Sequence, residues 1–551
     1  MSEGADVVGR HKRLARRTFL VSALTLVSRV LGYVREIIGA MLFGGGSAVY
    51  DAFITAWRVP NLFRRFLGEG ALSTSFQTAL TEVDADQGLH AGRQLFHDTL
   101  RMLTWILLAL TIAVCAGVMA MPDAMPLTGW QWLGADPDPV RDLIVRLMPF
   151  VLLVCISAII GGALNVRGHF AAPAWAPAAL NVVSVTTLLC IAAVYGWDAL
   201  GNPEADYQRH VEMANFFAWG ILVAGVVQLV VQVPALQKTG FLGPKQAVAV
   251  TSKAATSAGA VLRRSAPLAL GAAVYQINVM VDGLMAENLL DNGGPTAHYL
   301  ANRVQQFPMA LIAIAATSAV FPALKAHGHK GDHAAVRNLH DRTQRSICFV
   351  ALPACAGLFA LAYPVISVSF GHGNFDATGV ERTTNALRML TLAILPAGAT
   401  GLVARTYYAL GDFKTPVRVS SAMLALNVML NLLFIKMFAM DADGLALGTA
   451  LTSWAGLLAL LPGLSRKLAL PRGTNAFASP VARMIIASLA SGALAYGAER
   501  VTRDVVGATL ALGAAIGVGV VSYFVAAALL RVPEVRDVRD RLARIKGRAG
   551  V

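Results

Sequence analysis

The sequence predicts an all-α polytopic membrane protein with fourteen transmembrane helices. Of its 551 residues, 56% are hydrophobic and only 14% are charged, whereas soluble domains carry about 25% charged residues. Apolar runs of about 20 residues recur along the whole chain, and a helix of that length crosses about 30 Å of hydrocarbon. Such runs are too long and too uninterrupted to be the strands of a sheet.

The apolar runs between polar breaks define the fourteen predicted spans. The second span is the least regular, because Pro60 and the polar stretch 64–70 interrupt it. The predicted limits are 18–43, 48–80, 99–121, 140–165, 174–196, 212–233, 265–290, 297–324, 346–370, 383–410, 417–438, 443–464, 480–499 and 506–530.

The loops between these spans alternate in charge. The N-terminal segment, the loop 234–264 and the tail after the last span are basic, whereas 122–139 and 197–212 are acidic. Loops rich in Lys and Arg stay in the cytoplasm, so both termini are predicted to be cytoplasmic. The same placement explains the net charge of +14 without nucleic acid as a partner.

A weak internal repeat divides the chain. The pattern G-x-F-x-x-P occurs at 168–173 and again at 411–416, and Arg58-Val59 matches Arg303-Val304 at nearly the same offset. Repeats six spans apart have parallel orientation, which predicts two six-helix lobes followed by two extra helices. The predicted parts are a cytoplasmic segment (1–17), an N-terminal lobe (18–234), a basic cytoplasmic linker (235–264), a C-terminal lobe (265–465), helices 13 and 14 (480–530) and a cytoplasmic amphipathic tail (531–551).

Several arginines fall inside the predicted spans. An arginine at the bilayer centre costs roughly 2.5–3.5 kcal/mol on insertion scales, so these side chains must face a wet cavity or an acid. The guanidinium group offers paired donors that suit phosphate, and several together predict a site for a multiply anionic ligand such as a pyrophosphate. The candidate substrate-binding residues are Ser28, Arg29, Arg35, Asp51, Arg58, Arg64, Arg65 and Arg303.

Alternatives stay open for some of these residues. Arg64 and Arg65 fit equally well as interfacial residues whose charges reach the membrane surface. Asp51 has the alternative role of neutralising Arg58, seven residues further along the chain.

A second polar cluster is a candidate site for a coupling cation. Asp282 lies within span seven, and Asn427 and Asn431 share one face of span eleven. A carboxylate and two amide oxygens would take Na⁺ or H⁺, whereas hydrogen bonding between helices is the alternative role. No catalytic residue, cofactor or metal site is predicted, because the sequence lacks a Walker A motif and a C-x-x-C pair, and its histidines lie in loops or near the ends of the spans.

Five stretches of the sequence carry a resemblance to a known family. They resemble the MurJ (MviN) family of lipid II flippases, in the multidrug/oligosaccharidyl-lipid/polysaccharide exporter superfamily. The stretches are SRVLGYVRE (28–36), DAFITAWRVPNLFRRFLGEGALSTSF (51–76), GALNVRGHFAAPAWAPAALN (162–181), ANRVQQFP (301–308) and GDFKTP (411–416).

The resemblance implies a V-shaped transporter of the cell inner (cytoplasmic) membrane. Its cargo would be lipid II, the undecaprenyl-pyrophosphate-linked disaccharide-pentapeptide, moved from the inner to the outer leaflet by alternating access. The family's essential cavity arginines fall on Arg29, Arg35, Arg64 and Arg303, and its cavity acid falls on Asp51. The chain has Gln306 where many members have an acid, so a hydrogen bond would replace an ion pair there.

Other functions are weighed against this one. A drug/cation antiporter of the same superfamily would need acids and aromatic residues rather than arginines in its cavity, and an exporter of another lipid-linked oligosaccharide is a second alternative. An integral-membrane enzyme acting on lipid-linked sugars would need a convergent acid, base or metal cluster. The implied partners are lipid II, membrane lipids and either Na⁺ or H⁺, with no nucleic acid.

Overall fold

The protein is helical throughout the part of the chain that its structure, a computed structural model, describes. The described residues are 2–64, 71–120, 137–197, 203–242, 257–316, 320–468, 475–536 and 539, and they contain no strand. The all-α prediction is therefore confirmed for these residues.

The helices group into two compact units, Met1–Asn292 and Gly293–Val551. The first unit contains α1 (Ser2–Phe43), α2 (Ala48–Phe63), α3 (Ala71–Asp86), α4 (Leu89–Ala120), α5 (Pro137–Leu147), α6 (Pro149–Val166), α7 (Ala171–Tyr195), α8 (Pro203–Val230), α9 (Val233–Lys238) and α10 (Ala258–Leu289). The second unit contains α11 (Gly294–Ala316), α12 (Val320–His329), α13 (His333–Ala360), α14 (Ala362–Phe370), α15 (Ala377–Thr391), α16 (Ile394–Ala409), α17 (Lys414–Leu432, extended by a π turn to Met437), α18 (Ala442–Lys467), α19 (Asn475–Val506) and α20 (Ala508–Leu529).

Contacts place α10 with the first unit. The repeat in the sequence instead assigned this helix to the second lobe as its first span. The contact-based division reflects packing in this conformation, whereas the repeat-based division reflects internal symmetry. The limits of the two lobes therefore stay a prediction.

Ten segments are long and apolar enough to cross a membrane, among the residues described. They correspond to predicted spans three to six and nine to fourteen. Predicted spans one, two, seven and eight, which carry Arg29, Asp51, Asp282 and Arg303, each include residues outside the part of the chain in which such segments were identified.

The outer surface is apolar in a way that suits lipid rather than water. Trp105, Val501 and Leu529 are among many large hydrophobic side chains that are exposed. Soluble monomers rarely expose large contiguous apolar patches. The helices thus present an apolar surface outward while polar side chains such as Asp51 and Asn427 are buried.

The described part of predicted span two contains α2 and α3. α2 ends at Phe63 and α3 begins at Ala71, on either side of the residues 65–70, which lie outside the described part of the chain. Pro60 does not end α2, which continues for another three residues. A proline removes one backbone hydrogen bond, and helices within membranes tolerate that loss when neighbouring groups compensate for it.

Several helices are longer than the apolar runs that predicted them. α4 begins ten residues before the predicted span, and α13 begins at His333 rather than near 346. The side chain of Asp332 accepts a hydrogen bond from the backbone N–H of Ala335 at 2.9 Å and so caps α13. Hydropathy marks the part that crosses hydrocarbon, whereas helix ends depend on such local hydrogen bonds.

The repeated G-x-F-x-x-P motif forms the same turn in both units. Gly168 and Gly411 have φ of 77° and 79°, a left-handed conformation that favours glycine at a helix C-terminus. The backbone N–H of Gly168 donates to Asn165 O, and that of Gly411 donates to Tyr408 O. In each case the acceptor lies three residues earlier in the chain. Matched backbone geometry at the matched positions supports the repeat inferred from the sequence.

The second of these turns has an additional side-chain cap. Asp412 accepts hydrogen bonds from the backbone N–H groups of Lys414 and Thr415 and from the Thr415 hydroxyl, and its carboxylate lies 3.2 Å from Lys467 Nζ. The hydrogen bond from the Thr415 backbone N–H is the main cause that lowers the pKa of Asp412 to about 2. The stabilisation is therefore complete above the ordinary pKa of 3.8 and is lost only as the pH falls through about 2.

We expect Asp412→Ala to lower the stability of the second unit. Loss of a side-chain cap costs about 1 kcal/mol, which the unfolding temperature of the detergent-solubilised protein would report. Asp412→Asn keeps a side-chain oxygen for the cap, so it should retain most of that stability. Equal unfolding temperatures for Asp412→Ala and the parent protein would contradict the assigned cap.

The last two helices pack on α13. The Tyr523 hydroxyl of α20 donates to Phe349 O at 2.9 Å, and Arg345 lies 3.4 Å from Glu534, just after α20. Predicted helices 13 and 14 are thus α19 and α20. The predicted amphipathic tail (531–551) lies mostly outside the described residues, since only 531–536 and 539 are described there.

Candidate functional site

The two arginines of α1 lie in different surroundings. Arg35 is only 8% exposed, and its Nη2 donates to Glu36 Oε1 at 2.6 Å. The pair is neutral as a whole, so the buried charge of Arg35 is compensated within α1 itself. Arg29 is exposed.

A cavity of about 430 Å³ lies beside Arg29 in the first unit. Ser28 and Arg29 of α1, Gln77 of α3 and Asn165 of α6 supply hydrogen-bonding groups to its wall, and Phe170 contributes apolar surface beside α7. Arg29 is the charged member of this wall. A guanidinium among neutral donors and acceptors in a water-accessible space is suited to an anionic group.

Ser28 is held in place by α7. Asn181 Nδ2 donates to the Ser28 backbone carbonyl at 2.8 Å and to its hydroxyl at 3.3 Å. Side-chain amides commonly join helices in membranes in this way. The bond fixes α1 against α7 immediately beside Arg29, so the direction of that arginine is set by two helices.

The polar face of α2 meets α10. Asp51, Thr55 and Arg58 follow one another at helical spacing on one face of α2. The Thr55 hydroxyl donates to Glu287 Oε2 of α10 at 2.6 Å, and the Arg58 side chain lies against Gly283 of the same helix. The two helices thus share this polar face, on which Asp51 is buried.

Gly283 of α10 leaves the space that the Arg58 side chain occupies. A Cβ atom at Gly283 would come 1.8 Å from Arg58 Nη1 and 2.5 Å from its Cζ. Real Cβ atoms do not approach other atoms so closely, so a side chain at this position would displace the guanidinium. Gly283 and Glu287 lie one helical turn apart, and together they determine the position of the polar face of α2.

Glu287 was missed as a candidate from the sequence. It lies within predicted span seven, five residues after Asp282, and is 7% exposed. The rule that selected Asp282, a carboxylate inside an apolar span, selects Glu287 as well. Glu287 lies close to the predicted end of the span at residue 290, where a carboxylate is expected to reach the membrane surface.

The remaining arginines of span two lie at the end of α2. Arg64 Nε donates to Asn61 Oδ1 at 3.0 Å and is partly buried. Arg65 lies outside the described residues. The structure therefore does not bring Arg64 to the cavity beside Arg29, and its substrate-binding role stays a prediction.

Arg303 of α11 lies in the second unit. Its Nη1 donates to Gln306 Oε1 at 3.3 Å, one helical turn away. The expected hydrogen bond in place of an ion pair is thus present. A neutral partner binds a guanidinium more weakly than a carboxylate does.

The candidate cation residues are divided between the units. Asp282 accepts from Asn278 Nδ2 at 3.2 Å in the first unit. Asn427 and Asn431 in the second unit are both fully buried, and Asn431 Nδ2 donates to Asn427 Oδ1 at 3.2 Å. The predicted shared face of α17 is confirmed for the two asparagines.

The fold and the site define a class of protein. Apolar outer helices, a hydrated cavity with an arginine in its wall and buried charges on opposed helices are features of a membrane transporter rather than an enzyme.

A family model described as "Lipid II flippase MurJ" matches residues 40–515. The chain is 31% identical to a probable lipid II flippase MurJ of Vibrio cholerae serotype O1, over 95% of this chain and 97% of that protein. It is 28% identical to a lipid II flippase MurJ of Burkholderia cenocepacia, over 82% of this chain and 84% of that protein. The chain belongs to the lipid II flippase MurJ family.

Solved structures share the fold. A lipid II flippase MurJ in an inward closed conformation superposes with a TM-score of 0.68 at 19% identity, over 94% of this chain and 99% of that one. An inward-facing multidrug resistance MATE family transporter of the MOP superfamily gives a TM-score of 0.62 at 13% identity, over 82% and 99% of the two chains. This chain therefore shares its fold with both of these structures.

Proposed function

We propose that this chain translocates lipid II from the inner to the outer leaflet of the cytoplasmic membrane by alternating access. The observation that carries the proposal is the placement of Arg29 in the wall of a hydrated cavity, in a chain whose curated relatives are named lipid II flippases. A charged headgroup crosses such a cavity while its polyprenyl tail stays in the surrounding hydrocarbon.

The proposed membrane arrangement has fourteen spans with both termini cytoplasmic. Ten apolar segments and four charged spans supply the count, and the alternation of basic and acidic loops supplies the orientation. The matched turns at Gly168 and Gly411 both follow an even-numbered span. They therefore fall on the same side of the membrane in two parallel six-helix lobes.

The arginines are proposed to take different parts in binding. Arg29 and Ser28 are available in the cavity from the start, whereas Arg35 is held by Glu36 and Arg58 lies against Gly283. Arg64, Arg65 and Arg303 are proposed to contact the pyrophosphate at other stages of transport. An arginine that leaves a partner within the protein, as Arg35 would leave Glu36, gains the substrate phosphate as its new partner. The number of buried charges without a counter-ion therefore stays low during transport.

Coupling to a cation is proposed for the second polar cluster. Asp282 in the first unit, and Asn427 with Asn431 in the second, each offer buried oxygen atoms to which Na⁺ or H⁺ would bind. A cationic drug is a poor alternative cargo, because the charged residue of the cavity beside α1 is itself a cation.

Depletion of the protein in intact cells tests this function. We expect lipid II to disappear from the outer leaflet, measured by a membrane-impermeant enzyme that cleaves exposed lipid II. Restoring the full chain from a plasmid should return the signal. Undiminished outer-leaflet lipid II after depletion, in cells with no second flippase, would show that the cargo is something else.

A further inference from the structure

The cavity beside Arg29 is elongated along α1. Val21, Thr25, Ser28 and Arg29 line it from one face of that helix, and at about 1.5 Å per residue the stretch from Val21 to Arg29 covers about 12 Å. A guanidinium bonds only to atoms within about 3 Å. A ligand that fills this space therefore also meets the wall away from Arg29.

The turn before α7 lies at the other end of the cavity from Ser28. Asn181 Nδ2 donates to the Ser28 carbonyl at 2.8 Å, so Ser28 is level with Asn181 along α7. Pro173 and Phe170, which also line the cavity, come eight and eleven residues before Asn181. At about 1.5 Å per residue they lie about 12 and about 16 Å from that level. One end of the cavity is thus at Ser28 and Arg29, and the other is at this turn.

Two side-chain amides line this second end. Asn165 lies near the end of α6, and its backbone carbonyl accepts from Gly168 N–H within the turn. Gln77 of α3 lies beside it, because a Cβ atom on Gly162, one helical turn before Asn165, would come 3.3 Å from Gln77 Cγ. Among the described residues, no group bonds to the Asn165 side chain, and the Gln77 amide bonds only to the Ser73 hydroxyl, at 3.2 Å. Both amides therefore retain bonding capacity for a ligand.

The guanidinium and the amides suit different parts of one ligand. Arg29 brings a positive charge and paired donors, which suit phosphate. An uncharged amide offers donors and an acceptor together, as the hydroxyl groups of a sugar do, but it does not offset the charge of a phosphate. The ring of Phe170 adds apolar surface at the same end of the cavity, against which the C–H face of a sugar ring packs. This end matches an uncharged group rich in hydroxyls.

We propose that Asn165 and Gln77 bind the sugar that is joined to the pyrophosphate of lipid II, while Arg29 binds the pyrophosphate itself. The two groups are neighbours in the cargo and would lie in sequence along the cavity. In the proposed membrane arrangement the turn before α7 is cytoplasmic, so the sugar would lie nearer the cytoplasm than the pyrophosphate does. This inference rests on the proposed function and names the residues that distinguish lipid II from a polyprenyl pyrophosphate without sugar.

Three lipids test the proposal: lipid II, undecaprenyl pyrophosphate linked to a single sugar without peptide, and undecaprenyl pyrophosphate alone. Their affinities for the full-length protein in detergent are measured by microscale thermophoresis. Asn165→Leu and Gln77→Met replace each amide by an apolar group of similar size. Each should weaken binding of the two sugar-bearing lipids roughly 2- to 12-fold, the contribution of one neutral hydrogen bond, and leave the affinity for undecaprenyl pyrophosphate unchanged.

The controls separate recognition of sugar from recognition of phosphate and from misfolding. Arg29→Ala should weaken all three lipids by a similar factor, because all three carry the pyrophosphate. Gln208→Met and Asn338→Leu make the same exchanges at exposed positions of α8 and α13 and should change none of the affinities. Unchanged binding of undecaprenyl pyrophosphate shows that Asn165→Leu and Gln77→Met remain folded.

The failure of the inference and the failure of the function give different results. Equal losses for all three lipids in both amide variants, or no loss for any of them, overturn the assignment of the amides to the sugar but leave the flippase function intact. A loss confined to lipid II does the same, because it assigns the amides to the second sugar or the peptide. Failure of the parent protein to bind lipid II at all overturns the function on which the inference rests.

Discussion

Arg29→Ala should abolish most lipid II translocation while the protein still folds. The side chain is exposed in the wall of the cavity, so its removal leaves no buried partner without its charge. A hydrogen bond to a charged group is worth about 1.5–3 kcal/mol, which corresponds to a roughly 10- to 150-fold loss of affinity. Flux of fluorescent lipid II in proteoliposomes measures the loss directly.

Two further variants show whether the charge or its geometry matters at Arg29. Arg29→Lys keeps the positive charge but loses the paired donors, so we expect an intermediate flux. Arg500→Ala removes an exposed arginine of α19 that stacks on Tyr496, far along the chain from the cavity, and should leave flux unchanged. Normal flux in Arg29→Ala would remove this residue from the binding site.

Gly283→Ala should impair transport by moving Arg58 rather than by unfolding α10. The new methyl group would need the position of the Arg58 guanidinium, since it would come 1.8 Å from Nη1. The end of a long side chain moves at far lower cost than backbone does, and alanine favours the helix by about 1 kcal/mol relative to glycine. The protein should therefore stay folded with a misplaced arginine, and lipid II flux should fall several-fold.

A double-mutant cycle separates this explanation from general disruption. In an Arg58→Ala background the space beside Gly283 is empty, so adding Gly283→Ala should cause little further loss. Coupled residues in contact show interaction energies of about 0.5–3 kcal/mol. Gly357→Ala is the matched control, because a Cβ there meets nothing within 4 Å. Strictly additive losses at Gly283 and Arg58 would argue against their coupling.

The helical plan could be predicted because hydropathy and turn chemistry are local. The positive φ of Gly168 and Gly411 could be anticipated from a motif that repeats in the sequence. The start of α13 at His333 could not, because it depends on a cap from Asp332 within a polar stretch that hydropathy treats as loop. The mean hydropathy of an apolar run does not report the hydrogen bonds that determine where its helix begins and ends.

The candidate site was predictable only in part. Arg29 and the asparagine pair of α17 follow from simple rules about polar groups in apolar spans. The partner of Thr55 is 232 residues away in the chain, so neither Glu287 nor Gly283 could be connected to α2 before the packing of α10 was known. Arg35 and Glu36 are adjacent, and neighbours in a helix normally point in different directions, so their ion pair was not predicted.

The bond between Arg35 and Glu36 has a consequence for how the chain enters the membrane. α1 leaves the ribosome before the helices that follow it in the chain and pack against it, such as α7. An arginine entering hydrocarbon alone costs roughly 2.5–3.5 kcal/mol on insertion scales, but Arg35 carries its own counter-ion one residue away. The first helix can thus be inserted with only Arg29 uncompensated, and biosynthesis need not wait for the cavity to assemble.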